Sequence, residues 1–586
     1  MKNRIIVFAG LLTLIISMSS CNEEFLEETN PTEVATDSYW TSLDQSYAGV
    51  VTLYTTMLNH YILNIQPDAM RSDMGYPGWN RPSPSGDMVV WYNQIYGNSN
   101  QYIERKWEAC YEGIFRANQV IEGLEKMEGS VEDKDRWETH MAEARFFRGL
   151  LHFYLHSSFN EGRIIIRDFV PKSAEDFNLP VSSSEEVIEF FREDLEYAYM
   201  HLPAKWGEKK DLGRVTAGTA ATILGTSHLY EEEYDQAMVY FEDVINNPEY
   251  GYRLVKDLDL LFTNAGEFND ESIFEIAYNL EHKPELGQWD EESMSNRLGR
   301  TGPGQFGAGR GILPVAWITY QYQNEPLDTK DPRNWVSDGE GGSKLRNVSL
   351  RASSMIALVE DDQSMYYLDG TTQQQAPFTQ FEFGYYKKYT NHDIVATELD
   401  LPYGSWRSGK NVTVNRLADV YLMYAECLIK TGDIDGALDA INAVRKRWGL
   451  QLVGPAKNSA HDYNGINYDS ETLMDHLIYV EKPLEMSIEG HSIRWIDMRR
   501  WGIIEERFNN LSEENYYVED YSYVDQEGIT KIKPLSHLVK GEKPSDSNSI
   551  VIKDYEQAAD NYKAEVHAYY PIPLGEILTN PNLSNN

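Results

Sequence analysis

Two segments of the chain carry the same helix–turn–helix pattern, and this repetition constrains the fold more than any other feature. The first segment runs over residues 217–230, turns at 231–233 and resumes with apolar residues behind the turn. The second runs over 417–429, turns at 430–433 and resumes in the same way. Apolar residues spaced three and four apart lie on one face of a helix, so the pattern predicts helices on both sides of each turn.

Small residues stand where the two helices of each pair would cross. Gly225 in the first segment and Ala425 in the second would let the helix axes approach, while bulky neighbours fill the groove between them. This arrangement resembles the tetratricopeptide repeat. Apolar spacing predicts further helices at about 43–64, 101–127, 137–156, 184–201 and 471–489. The predicted fold is therefore mainly α, a tetratricopeptide-like helix–turn–helix scaffold with large loop-rich inserts and little β structure.

Composition divides the chain into five parts. They are predicted as a lipoprotein signal peptide (1–20), an acidic tether (21–40), an N-terminal helical part with the first repeat (41–247), a loop-rich insert (248–414) and a C-terminal helical part with the second repeat and a tail (415–586). The insert is rich in Gly, Pro, Asn and aromatic residues. Insertions of this kind collect on one face of a helical repeat scaffold and carry its binding surface.

The N-terminal residues have the parts of a secretory signal peptide. A basic start at Lys2 and Arg4 precedes an apolar run over 5–16 and small residues over 17–20, directly before Cys21. The apolar run is too short to span a membrane, which takes about 20 residues. A cysteine at this position resembles a bacterial lipobox, so we expect Cys21 to be lipidated and to be the membrane attachment. The alternative is an ordinary secreted protein with an incidental cysteine.

Charge excludes one class of partner. The net charge of −40 becomes −42 when Lys2 and Arg4 leave with the signal peptide. Such an acidic chain repels nucleic acid, whose binding depends on Lys and Arg that neutralise phosphates. The two other cysteines, Cys110 and Cys427, stand among apolar residues on helical patterns and are expected to be buried rather than paired in a disulfide.

Motifs that would indicate catalysis, a metal or a cofactor are weak. Residues 302–307 fit GxGxxG, but no predicted strand leads into them. Residues 404–410 resemble a phosphate loop, yet Asn411 stands where Ser or Thr must reach magnesium. His152 and His156 could share a metal on one helix face, but no third ligand is evident. We therefore predict no catalytic residue, no metal and no cofactor.

Many short segments in order along the chain resemble the SusD/RagB family, the surface-exposed nutrient-binding lipoproteins of Bacteroidetes. They are Cys21 with its acidic followers, residues 114–118, 142–148, 212–216, 331–333, 385–389, 415–426, 441–445, 488–491, 495–502, 570–573 and 580–581. The resemblance implies a tetratricopeptide-like helical fold and an outward-facing position on the outer membrane, held there by the lipid. It also implies a TonB-dependent (SusC-like) transporter as partner. The ligands of the family are mostly oligosaccharides, with peptides in some branches.

Sugars present flat apolar faces, so proteins stack aromatic rings on them and add polar groups for the hydroxyls. A loop rich in Gly and Pro at 73–94 offers such groups, and exposed aromatic rings mark binding surfaces. The predicted ligand-binding residues of this loop are Tyr76, Trp79, Asn80, Arg81, Trp91 and Tyr92. The alternative is that Trp79 or Trp91 plugs the loop onto the helices. In the central insert Trp289 comes first, ahead of Phe306, while Trp317 is expected in the core.

The sequence thus predicts a non-catalytic glycan-binding lipoprotein of an outer-membrane uptake complex. Two alternatives stay open at this point. One is a peptide-binding lid of the same type of complex, and the other is a lipoprotein hydrolase that acts on the glycan. A glycosidase couple cannot be chosen among so many Asp and Glu residues without their separation.

Overall fold

The structure is a computed structural model that describes residues 40–78, 81–280, 293–378, 381–402, 407–491, 493–525, 527–544 and 549–583. The predicted signal peptide, the lipid attachment at Cys21 and nearly all of the predicted tether lie outside these residues.

Helices dominate the described part of the chain, which confirms the predicted mainly α fold. They are α1 (Leu43–Thr56), α2 (Ile65–Arg71), α3 (Val89–Tyr92), α4 (Gln101–Met127), α5 (Lys134–Ser158), α6 (Ser184–His201), α7 (Ala217–Tyr230), α8 (Tyr234–Asn246), α9 (Ala316–Gln323), α10 (Leu350–Met355), α11 (Thr372–Gln375), α12 (Leu417–Thr431), α13 (Ile434–Arg447), α14 (Ser470–His476), α15 (Lys482–Met486), α16 (Ile493–Arg500), α17 (Ile504–Glu513), α18 (Glu556–Asn561), α19 (Ala564–His567) and α20 (Leu574–Thr579).

The long helices form one stacked scaffold. Helices α4, α5, α6, α7 and α8 each pack against the next, and α8 continues onto α12 and then α13. In the first repeat a Cβ atom at Gly225 would lie 2.6 Å from the Phe241 ring, so only glycine allows this approach of α7 and α8. Ala425 is fully buried in the second repeat. The small residue therefore acts as predicted at the first crossing, and Ala425 is buried in the second repeat.

Two predicted helices differ most from the structure, while α5 extends two to three residues beyond each end of its predicted range. The first was expected over 43–64, but α1 ends at Thr56. From there the amides of Met57, Leu58 and Asn59 donate to carbonyls three residues back, which tightens the chain into a turn. The stretch predicted at 471–489 is divided into α14, a π-helical turn over Leu477–Glu481 and α15. Helix α4 has the predicted bounds.

The strands of the described residues are short and pair in small antiparallel sheets. They are β1 (Gly75–Tyr76), β2 (Ser272–Ile276), β3 (Leu313–Pro314), β4 (Trp335–Ser337), β5 (Ser343–Leu345), β6 (Ile356–Ala357), β7 (Tyr385–Tyr386), β8 (Val412–Arg416), β9 (Tyr516–Val524), β10 (Thr530–Lys540) and β11 (Val551–Ile552). The pairs are β1 with β3, β2 with β8, β4 with β5 and β6 with β7, while β9 lies between β10 and β11. Strand β2 matters most for the site, because it brings the central insert against α7.

Buried ion pairs join the central insert to the C-terminal helices. Arg416, at the end of β8, contacts Glu271 at 2.8 Å, Glu485 at 2.6 Å and Glu489 at 2.7 Å, and all four side chains are buried. Arg447 of α13 reaches the same Glu271 and Glu485. Loss of one partner from such a cluster leaves an uncompensated buried charge, so the contacts fix how the insert sits on the scaffold.

Candidate functional site

The loop predicted to bind ligand packs into the protein core. Tyr76 is 1% exposed and Trp91 is 0% exposed. The Trp91 ring stacks on Tyr96 with a centroid distance of 4.3 Å, and Tyr92 is also buried, edge-on to Tyr76. The prediction that Tyr76, Trp91 and Tyr92 offer exposed stacking faces is therefore corrected: no face of these rings is open to a sugar.

A buried carboxylate explains why this loop is held inside. Asp554 accepts hydrogen bonds from the Arg81 guanidinium at 3.0 Å, the Tyr92 hydroxyl at 3.2 Å and the backbone amide of Ala316 at 2.8 Å. The Arg81 guanidinium also lies 3.9 Å above the Tyr76 ring. Arg81 was predicted to bind sugar hydroxyls, but its donors serve the core instead. A buried carboxylate needs such partners, so the loop folds around Asp554.

The remaining predicted site residues divide into two groups. Trp79, Asn80 and Trp289 lie outside the described residues, so their role in ligand binding stays a prediction. Of the lower-ranked candidates, Phe306 stacks on Tyr367 with a centroid distance of 4.2 Å. Trp317 is 3% exposed, as expected for a core residue.

An open cleft beside this loop has the composition of a ligand site. Its empty volume, including the part open to solvent, is about 780 Å³. Half-buried aromatic rings line it together with polar side chains that can donate or accept hydrogen bonds. The residues used below are His60, Tyr61, Gln66, Tyr102, Tyr278, Arg297 and Arg300. We call this cleft the aromatic cleft.

One wall of the aromatic cleft is the turn that follows α1. Asn59 accepts a hydrogen bond from the Tyr61 amide at 3.1 Å through its side chain. The buried ammonium of Lys106 donates to the carbonyl of Ile62 at 2.7 Å. Asn64 ends the turn with φ +57°, a left-handed conformation that asparagine tolerates better than most residues. These contacts hold His60 and Tyr61 at the surface.

The opposite wall comes from the central insert. Tyr278 follows β2, and Arg297 and Arg300 follow Asn296, whose backbone pairs with that of Ser408 at 2.8 and 3.1 Å. The Asn296 side chain accepts from the Leu298 amide at 2.9 Å, which fixes the turn that carries the two arginines. The N-terminal and central parts of the chain thus meet across the cleft.

The aromatic rings of the cleft are arranged in series. The His60 and Tyr61 rings have centroids 4.0 Å apart, and Tyr61 meets Tyr102 edge-on at 5.6 Å. Asn100 caps α4 by accepting from the Tyr102 amide at 2.9 Å, so Tyr102 is held in the first turn of that helix. Rings held rigidly in this way bind a flat ligand with little loss of side-chain entropy.

The phenols of the cleft stay protonated at neutral pH. Burial raises the pKa of Tyr102, and nearby Arg300 only partly opposes that rise. Burial also raises the pKa of Tyr278. Both hydroxyls are therefore neutral groups that can donate and accept hydrogen bonds. None of the residues lining the cleft in the described part of the chain is Asp or Glu.

Sequence reasoning missed this cleft because it placed the key residues inside helices. His60 and Tyr61 fell within the helix predicted over 43–64. The available signal was the pair Asn59 and Asn64, since asparagine favours turns and left-handed backbone. Tyr102 lies on a correctly predicted helix, and nothing in the pattern distinguishes it from a core residue.

The paired histidines of α5 serve the scaffold. His152 is fully buried; its Nδ1 lies 2.8 Å from the Arg148 carbonyl, and its Nε2 accepts from the Arg167 amide at 3.3 Å. The Nε2 of His156 lies 2.8 Å from the Ser184 hydroxyl. Burial lowers the pKa of both imidazoles to about 4, so they are neutral at physiological pH.

Comparisons with known proteins identify relatives of the whole chain. A family model described as the SusD family matches residues 270–586, and a second, described as starch-binding and associating with the outer membrane, matches residues 24–227. The SusD-like protein P25 of Formosa agariphila is 23% identical over 502 residues, which cover 84% of this chain and 89% of the relative. A SusD-like protein of Bacteroides ovatus is 23% identical over 623 residues and covers 100% of this chain and 97% of its own.

Solved structures share the fold. A SusD superfamily protein from Bacteroides vulgatus superposes with a TM-score of 0.67 at 21% identity, covering 93% of this chain and 98% of its own. A structure described as a laminarin binding SusD-like protein superposes with a TM-score of 0.58 at 21% identity. The match covers 80% of this chain and 93% of that protein. A structure described as determined with xylogluco-oligosaccharide superposes with a TM-score of 0.63 at 19% identity. The match covers 92% of this chain and 98% of that protein. In the described residues of this chain, every helix is too short or too polar to cross a bilayer.

Proposed function

The chain belongs to the SusD family, and on that premise we propose that it is a non-catalytic lipoprotein that captures oligosaccharides in the aromatic cleft. We propose further that it sits outward-facing on the outer membrane through lipidated Cys21. It would deliver the glycan to a TonB-dependent transporter of the SusC type. The observation that carries the proposal is the row of half-buried rings across the cleft.

The chemistry of the cleft supports a sugar ligand. Tyr61, Tyr102 and Tyr278 offer aromatic surface for the apolar faces of sugar rings. Gln66 donates its side-chain amide to the Gly311 carbonyl at 2.9 Å, which orients the amide oxygen as a fixed acceptor. Neutral phenols and a fixed amide suit hydroxyl groups, which need both donors and acceptors.

The same lining supports binding without hydrolysis. Retaining and inverting glycosidases hold the scissile bond between two carboxyl groups, about 5 to 9.5 Å apart. The described residues lining the aromatic cleft include neither Asp nor Glu. A hydrolase reading would therefore need its acid and base from elsewhere in the chain. Related structures, one described as laminarin binding and one as determined with xylogluco-oligosaccharide, support a glycan over a peptide.

The proposal is tested first by a glycan array and then by calorimetry. The protein without residues 1–20 is applied to a panel of laminarin, xyloglucan, starch, pectin and alginate oligosaccharides, with a peptide library beside them. We expect one glycan class to bind. Replacing Tyr61 with Ala should then weaken that glycan roughly tenfold, because loss of a platform ring costs about 1.4 kcal/mol, which is one decade in affinity.

A matched variant separates binding from folding. Tyr523 is a half-buried tyrosine on β9, outside the aromatic cleft, and Tyr523→Ala should leave both affinity and melting temperature nearly unchanged. Equal affinity of Tyr61→Ala and the wild type for the selected glycan would refute the site. Binding of peptides alone would replace the ligand class, and release of shortened products by the purified protein would make it a hydrolase.

A further inference from the structure

Strand β2 and the residues directly after it run beneath three neighbouring clefts. The aromatic cleft contains Ile276 and Tyr278 in its lining. A second cleft is lined by residues 274–277, and a third by Ser272, Ile273 and Glu275. Ser272 to Tyr278 are seven residues, whose six steps cover about 20 Å in an extended chain. The three clefts therefore follow one another along a single strand.

The second cleft is a mainly apolar groove beside α1. Its empty volume, including the part open to solvent, is about 1000 Å³. Val51 of α1 is 45% exposed and Leu212 is 56% exposed at its edges, while Phe274 forms part of its buried floor. The lining shares Met57 with the aromatic cleft, so the two are neighbours. We call this cleft the apolar groove.

The third cleft is again lined by rings and polar groups. Trp206, Tyr252 and Phe268 line it, together with Asn269 and the exposed Lys205, and its empty volume including the open part is about 780 Å³. We call it the distal cleft. It shares aromatic rings with the aromatic cleft but differs from it in also being lined by the acidic residues Glu208, Asp211, Asp270 and Glu275.

The ring of Phe268 is placed there at the cost of backbone strain. Its φ of +54° lies in the left-handed region, which bulky residues rarely adopt. Both oxygens of Glu275 accept from its amide at 3.1 Å and hold this conformation. Gly213, with φ +89°, makes room, because a Cβ atom there would lie 2.9 Å from the Phe268 ring. Strain of this kind is concentrated at ligand sites.

Arg214 joins the distal cleft to the apolar groove. Its guanidinium lies 3.5 Å from the centroid of the Trp206 ring and 5.4 Å from that of Tyr47, a residue of the apolar groove. Glu143 and Asp211 hold it in place, with contacts of 2.6 and 2.8 Å. The side chain is therefore a fixed link in the wall of both clefts and stacks on Trp206.

We propose that the three clefts form one extended binding groove, and that a single long glycan chain lies along it from the aromatic cleft to the distal cleft. The inference rests on the proposed function and adds a second set of aromatic contacts for the same ligand. Short oligosaccharides would occupy the aromatic cleft alone. Longer chains would gain affinity from the apolar groove and from Trp206.

Chain length is the variable that tests the groove. Calorimetry with short and long oligosaccharides of each glycan in the panel named above is run on Val51→Arg, which places a bulky charged side chain in the apolar groove. Val239→Arg is the matched control, because Val239 is 66% exposed on α8 and lines none of the three clefts. Surface changes of this kind alter stability little. Trp206→Ala tests the distal cleft.

We expect Val51→Arg and Trp206→Ala to weaken the long chain roughly tenfold and the short one less than twofold, and Val239→Arg to change neither. Tyr61→Ala should weaken both lengths. An unchanged long-chain affinity in Val51→Arg would overturn the extended groove, while a loss in Tyr61→Ala would still uphold the aromatic cleft. Equal losses for both lengths in Val51→Arg would also overturn it. If no glycan of the panel binds the wild type, the groove and the proposed function both fall.

Discussion

Replacing Trp91 with Ala should lower stability and leave glycan affinity unchanged. The ring is fully buried, stacks on Tyr96 and meets Tyr570 edge-on with a centroid distance of 5.7 Å. Burial of a tryptophan removes about 200 Å² from water, worth roughly 5 kcal/mol at 25 cal/mol per Å². That figure is an upper estimate, because the unfolded chain already buries part of the ring. Large-to-small changes in cores cost about 3 to 5 kcal/mol, so we expect about 4 kcal/mol.

The thermal shift from this loss is small because the protein is large. The unfolding entropy of about 2.1 cal/mol/K per residue gives roughly 1.2 kcal/mol/K for the chain without residues 1–20, so 4 kcal/mol lowers the melting temperature by about 3 °C. Urea denaturation followed by circular dichroism measures the loss of unfolding free energy more directly. Trp335, which is 46% exposed on β4, provides the control. Trp335→Ala should change the urea midpoint by less than a quarter of the Trp91 effect.

Glycan affinity of the same variants decides between the two roles of Trp91. A ring that plugs the loop onto the core contributes to folding and leaves the ligand untouched. A tenfold loss of affinity in Trp91→Ala with an unchanged urea midpoint would refute this reasoning. The predicted stacking role of the loop would then be restored.

Three further predictions follow from the anchor, the buried charges and the partner. Cys21→Ala should release the protein from the membrane fraction, and sedimentation with membranes in high salt would contradict lipidation. Burial raises the pKa of Glu485, but Arg447 and Arg416 outweigh it and hold the pKa at about 2. The charged form therefore contributes stability above the usual value of 4.5, and this contribution, about 3 kcal/mol, is lost as pH falls from 4.5 toward 2. Glu485→Gln should lower the urea midpoint at pH 7 and flatten its fall in this window; an unaltered pH profile would count against the cluster. Purification in mild detergent should recover a large outer-membrane barrel protein with the chain, and recovery of the chain alone across several detergents would argue against the transporter.

The scaffold could be predicted because its signals are local. The spacing of apolar residues and the small Gly225 fixed α7 and α8, and the 27-residue run of α4 has the predicted bounds. Cys110 and Cys427 are buried free thiols, as expected from their apolar neighbours. Each of these features depends on contacts between residues of one helix or of adjacent helices.

The site depended on contacts between distant parts of the chain. The loop 73–94 has the composition of an exposed binding loop, yet Asp554, almost 500 residues later, draws Arg81 and Tyr92 inward. The end of α1 at Thr56, which brings Tyr61 to the surface, is fixed in part by the bond from Lys106 to Ile62. Local sequence patterns do not show that Asp554 contacts the loop 73–94 or that Lys106 contacts the turn at Ile62. Composition located candidate rings, and only tertiary contacts decided which ones face solvent.

A crystal structure of the protein without residues 1–20, grown with the oligosaccharide selected on the array, tests the central claim most directly. We expect sugar rings in van der Waals contact, within about 4.5 Å, with Tyr61, Tyr102 and Tyr278, and a long chain continuing over the apolar groove toward Trp206. Electron density for the glycan at another surface, with the aromatic cleft filled only by solvent, would contradict the account.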